Sequence, residues 1–116
     1  MNGSLKNFDI FDLSKKLVVA CYSLTASLPP GERTNLTQCI RNAALSAHLK
    51  ILQCTFLKKK KGKKKLIRDA KNSLVVIDAA VDVLIEVKLV SDPQTAEVMQ
   101  LSSTFYQLLD RLKKEK

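Results

Sequence analysis

Apolar residues recur along this chain at intervals of three and four, the spacing that lines up side chains on one face of an α-helix. Over residues 9–28, Leu17, Cys21, Leu24 and Leu28 share such a face, and Pro29-Pro30-Gly31 ends the pattern. A second helix is predicted over 32–57, with Leu36, Ile40, Ala43 and Ala47 on one stripe and Leu45, Leu49, Leu52 and Phe56 on another. A third, over 64–89, carries Ile67, Ala70, Leu74, Ile77, Val81 and Leu84 in the alternation of a bundle seam. The fourth opens at Ser91-Asp92-Pro93. There Asp92 is placed to cap free backbone N–H groups and Pro93 fits the first helical position, and Val98, Leu101, Phe105, Leu108 and Leu112 form the seam. No alternating strand pattern or Asn-Gly hairpin signal occurs. The expectation is an all-α, antiparallel up-down-up-down four-helix bundle, with residues 1–116 as one domain.

The third helix is more apolar than one core requires. Besides its seam it carries Val76, Ala80, Val83 and Val87, beside a narrow acidic line of Asp78, Asp82 and Glu86. A helix apolar on two faces must bury both, and the second helix offers Leu45, Leu49 and Leu52 in the same way. Large exposed apolar patches are uncommon on soluble monomers, so these residues predict a homo-oligomer interface.

Charge adds one feature. The chain carries a net charge of +9, and Lys58, Lys59, Lys60, Lys61, Lys63, Lys64 and Lys65 lie in one eight-residue run broken by Gly62. The rest is nearly balanced. Read against the predicted helices, residues 58–65 form a basic loop joining the second and third, with Arg68 one turn into the latter. Lysines are flexible point charges that neutralise phosphates and displace condensed counterions, so this run points to nucleic acid, RNA or DNA, bound with little regard to sequence. Base readout would need Arg, Asn, Gln or stacking aromatics, and Phe56 is the nearest aromatic. The plainer alternative is a loop whose charge only keeps the protein soluble.

Catalysis finds little footing. His48 is the single histidine and has no Cys or acidic residue three or four positions away to complete a metal or catalytic site. It is expected to pack, and no catalytic residue, metal or cofactor is assigned. Cys21, Cys39 and Cys54 lack paired spacing and read as small buried apolar residues in a reducing compartment. No secretory signal and no apolar run long enough for a membrane span are found, so a cytoplasmic protein without a membrane partner is expected.

The order "FDIFDLSKKLVVACYSLTASLPPGERTNLTQCIRNAALS", a basic turn, "LIRDAKNSL" and "VKLVSDPQTAEVMQLSSTFYQLLDRLKK" resembles a bacterial four-helix-bundle superfamily. Its members include the proteins encoded by rRNA intervening sequences and Avd, the accessory protein of diversity-generating retroelements. The resemblance implies a homopentameric barrel with a basic surface and, in the Avd branch, partnership with a reverse transcriptase and its template RNA. Intervening-sequence proteins commonly close the second helix with an Asn-Ile-Ala-Glu-Gly-like motif, whereas this chain reads "AHLKILQCTFLKKKK", which favours the Avd-like branch. Avd-like proteins commonly end in a Gly-Gly-Trp-like motif, which this chain lacks. Arg33 and Arg41 stand where both branches carry polar or basic residues and are further candidates for nucleic-acid contact. The expected function is a non-catalytic, nucleic-acid-binding accessory protein, Avd-like. The alternatives are an rRNA intervening-sequence protein or a structural bundle with a solubilising loop.

Overall fold

The structure is a computed structural model. It describes residues 2–90 and 92–115, with side-chain surroundings for all of these except 2–9, 33, 34, 92 and 113–115. The predicted cap from Asp92 lies outside those described side chains. Four helices, α1 (Asn2–Ala26), α2 (Gln38–Cys54), α3 (Lys60–Glu86) and α4 (Asp92–Glu115), account for most of the chain, and no strand occurs among the described residues. A 27-residue helix is about 40 Å long, and the molecule measures 43 × 23 × 18 Å, so the helices run along its long axis. α1 packs on α2 and α4, and α3 packs on α2 and α4, which closes a four-helix bundle. The five-residue connection 55–59 leaves α2 and α3 no choice but to run antiparallel.

Periodicity predicted most of the core. Leu17, Cys21, Leu24, Ile40, Ala43, Ala47 and the whole α3 seam, from Ile67 to Leu84, are buried. Each large apolar side chain so removed from water contributes roughly 1.5–3 kcal/mol. In α4 the seam is shifted from the predicted one. Thr95, Val98, Ser102, Phe105 and Leu109 are the buried residues, while Leu101, Leu108 and Leu112 pack at its margin. Two of these positions are polar, and Ser102 enters the core because its hydroxyl donates to Asp78 Oδ1 at 2.9 Å.

The second helix starts later than predicted. After Pro29 and Pro30, which offer no N–H, the chain makes a 3₁₀ turn (Pro30–Glu32) and a wide π-type turn (Arg33–Thr37) before α2. Asn35, at φ −125° and ψ −105°, breaks the helical phase within the latter turn. At its far end α3 closes in a Schellman motif. Leu89 N–H bonds Leu84 O and Lys88 N–H bonds Ile85 O, each at 3.0 Å, around Lys88 at φ 61°.

Candidate nucleic-acid interface

The predicted basic loop is mostly helix. α3 begins at Lys60, so Lys60, Lys61, Lys63, Lys64 and Lys65 occupy its first two turns, and of the run only Lys58 and Lys59 remain in the connection. Lysine is a good helix former, and the core face from Leu66 and Ile67 onward anchors the turns that the charges oppose. Leu57 lies exposed at the corner. A Cβ on Gly62 would stand 3.0 Å from Leu57 Cδ1, a tight contact that the exposed Leu57 side chain would have to relieve by a small shift. Phe56, at the head of the same connection, is 83% exposed.

Electrostatically this end is built against the usual rule. Helix N-termini carry partial positive charge and prefer acidic residues, yet the first turn of α3 has none, and Lys59 at the N-cap makes no side-chain cap. Lys60 and Lys64, and Lys61 and Lys65, are like charges one turn apart. Among the described residues no carboxylate pairs with any of the seven lysines or with Arg68. Lys58, Lys59, Lys61, Lys64, Lys65 and Arg68 surround an open hollow of ≈ 810 Å³ floored by Leu57 and Gly62. Lys60 is exposed outside that hollow. Lys63 is half-buried and lines a smaller cleft with Ile10, Phe11 and Cys54.

The arginine candidates are not part of this cluster. Arg41 lies thirteen residues before the end of α2, about 20 Å along the axis, at the opposite half of the bundle. The Arg33 side chain lies outside the described residues.

The proposed oligomer residues divide. Val76, Val83, Val87 and Leu49 are exposed, Leu45 and Leu52 are half-buried, and Ala80 belongs to the core at 6% exposure. Ala80 is therefore corrected from surface to interior, because its position on the wheel falls between the outer stripe and the seam. Val75 and Ile85 are also exposed on α3, and Val19 on α1, and periodicity did not single them out.

Cys21 and Cys54 are buried as expected, whereas Cys39 is exposed. His48 is half-buried with Nδ1 2.6 Å from Ser14 Oγ, and the Ser14 hydroxyl also lies 2.9 Å from the Phe11 carbonyl. Ser14 itself is fully buried, so the pair offers no nucleophile to a substrate. Burial, and then the charge of Lys15, hold the His48 pKa below its ordinary value. Burial pushes the Cys21 thiol up to about 12, which keeps it protonated. Asp78 is tied to Ser102 on α4, so only Asp82 and Glu86 of the predicted acidic line are exposed. Lys71 bridges to Asp110 at 2.9 Å across Tyr106, and its pKa is raised chiefly by that hydrogen bond. Among the described residues no three His, Cys, Asp or Glu side chains gather where they could hold a metal ion. Nor is any described helix long and apolar enough to cross a membrane.

The model of the 23S rRNA-intervening sequence protein family fits residues 6–111, and the chain belongs to that family. The match falls on the branch named above as the alternative to the Avd-like one. A crystal structure of a protein with unknown function from the S23 ribosomal protein family of Bacteroides thetaiotaomicron VPI-5482 has the same fold. It superposes with a TM-score of 0.86 at 15% identity, covering 94% of this chain and 98% of that one. No curated protein matches the chain.

Proposed function

We propose that this protein is a non-catalytic, homo-oligomeric accessory protein that grips the phosphate backbone of nucleic acid with the lysine-rich end of its bundle. The observation that carries this is the start of α3. Seven lysines and Arg68 crowd a helix N-terminus that has no acidic residue in its first turn, and among the described residues none is neutralised from within. A polyanion laid over that end relieves the repulsion and meets the uncapped N–H groups of the first turn. Such contacts carry affinity without sequence readout. Family membership supports an RNA-linked setting, since the family takes its name from sequences that interrupt 23S rRNA.

Assembly strengthens the grip. Val75, Val76, Val83, Ile85 and Val87 leave α3 apolar on its outside, which supports a homo-oligomer, and a pentameric barrel is the arrangement we favour. Several copies of one weak basic end then act together. A second proposal keeps a reverse transcriptase and its template RNA as partners, favoured by the stretch from late α2 into α3, "AHLKILQCTFLKKKK", in place of the motif expected of intervening-sequence proteins. Co-purification of such an enzyme with the tagged protein supports that partnership, and its absence from the native complex removes it. For the main proposal the test is fluorescence anisotropy with RNA and DNA of unrelated sequence. All are expected to bind with similar affinity, and replacing the seven lysines with Gln is expected to abolish binding while leaving the helical signal intact.

A further inference from the structure

Arg41 is a cation that the lysine-rich end does not use, and its surroundings are unusually well organised. From α2 it reaches across to α1, where its Nε–H donates to Thr25 Oγ1 at 2.7 Å and an Nη2–H approaches the Tyr22 carbonyl at 3.5 Å. Its guanidinium carbon lies 4.4 Å from the centroid of the Tyr22 ring. Thr25 gives its own proton to the Cys21 carbonyl at 2.7 Å, so its oxygen faces Arg41 as an acceptor. These contacts fix the guanidinium in plane and direction. They engage two of its five N–H donors and leave free those on the terminal edge, the edge that takes two oxygens of one oxyanion. Among the described residues no carboxylate pairs with Arg41. Glu32, the acidic residue nearest to it in sequence, accepts from Asn35 Nδ2 at 3.4 Å instead.

A hollow of ≈ 590 Å³ opens beside it between the end of α1 and the start of α2, walled by Thr37, Gln38 and Asn42 together with Tyr22 and Thr25. Thr37 is only 6% exposed, and its hydroxyl has no hydrogen-bond partner among the described residues. That hydroxyl is reached by solvent, since no buried side-chain nitrogen or oxygen among the described residues lacks a partner, and it is therefore open to a ligand in the hollow. Gln38 and Asn42 are exposed, one turn apart, and bring amide donors to the same wall. A fixed guanidinium, a waiting hydroxyl and two amides, with no carboxylate lining the hollow, select an anion rather than a cation.

We propose that this hollow binds a phosphate group, held bidentately by Arg41 with Thr37 Oγ1 as a further donor. The volume leaves room for the molecule that carries the phosphate. The site lies about 20 Å along α2 from the lysine-rich end, and it stands or falls independently of what that end binds.

The test uses the full-length chain with the seven run lysines replaced by Gln, which removes competing attraction at the other end. Inorganic phosphate, a nucleoside monophosphate, the matching phosphate-free nucleoside and a short oligonucleotide are each titrated while NMR follows the Arg41 Nε–H and the amides of residues 37–42. Saturable shifts there with the phosphate-bearing probes, and none with the nucleoside, are expected. Tightest binding by the monophosphate assigns a small ligand, whereas tightest binding by the oligonucleotide assigns a nucleic-acid backbone. Arg41→Lys keeps the charge but loses the fork, and is expected to weaken binding by about tenfold or more. Thr37→Val, nearly isosteric, is expected to weaken it several-fold with the fold unchanged. No saturable shift in the millimolar range, or shifts equally strong in a folded Arg41→Lys variant, overturns the proposal.

Discussion

At the scale of single residues, His48 shows how a side chain can be placed by contacts its neighbours in sequence do not announce. Its partner Ser14 is 34 positions away on α1, so spacing alone supports a packing role but not the hydrogen bond. Because burial and Lys15 lower its pKa below 6.5, the unfolded chain takes up a proton more readily than the folded one. The stability this contributes is complete above about 6.5 and is lost as pH falls through the lower folded value. Thermal unfolding is therefore expected to shift to lower temperature as the pH is taken from neutral into the mildly acid range. His48→Gln is expected to flatten that shift, and an unchanged profile in the variant counts against the assignment. Lys88 makes a second residue-level case. A side chain held at φ 61° is disfavoured relative to glycine, so Lys88→Gly is expected to raise stability by about 0.5–1 kcal/mol in urea unfolding.

Among the elements, what could be read in advance depended on whether apolar residues alone decide the register. In α1 and α3 they do, and Leu17, Cys21, Leu24 and the seam from Ile67 to Leu84 are buried as their spacing predicts. In α4 they do not, because Thr95 and Ser102 occupy core positions that a count of apolar residues passes over. The start of α2 was hidden because nothing in "GERTNLT" marks the 3₁₀ and π-type turns or the non-helical backbone of Asn35. The start of α3 was obscured by its own charge. A lysine run reads as a loop, yet the burial of Ile67 in the core anchors a helix that extends back to Lys60. Repulsion in those turns remains, so Lys60→Glu and Lys61→Glu are each expected to stabilise the free protein by about 0.3–1 kcal/mol at low salt. The same changes are expected to weaken nucleic-acid binding. Destabilisation of the free protein by both would show that the lysines serve the helix rather than a ligand.

For the whole molecule, the candidate site was legible as charge but not as shape. The run of lysines was visible in the sequence, whereas the separation of Arg41 from it, the inward position of Lys63 and the burial of Ala80 follow from how the helices pack. The apolar outside of α3 belongs to this scale as well, since an area of exposed valine gains its meaning only from a neighbour. Light scattering is expected to show a homo-oligomer, and Val83→Lys, placed on that face, is expected to shift it toward smaller species. A monomer at micromolar concentration in the parent would remove the assembly. The central claim is that one end of the bundle holds phosphates by charge, and the dependence of binding on salt measures it most directly. A plot of log affinity against log salt is expected to be linear, with a slope near −0.7 per phosphate neutralised on single strands. Replacing Lys58, Lys59, Lys60, Lys61, Lys63, Lys64 and Lys65 with Gln is expected to flatten that slope and reduce affinity, with the helical signal and the oligomer unchanged. Equal affinity and an equal slope in the Gln variant would contradict the claim and leave the lysines a solubilising feature.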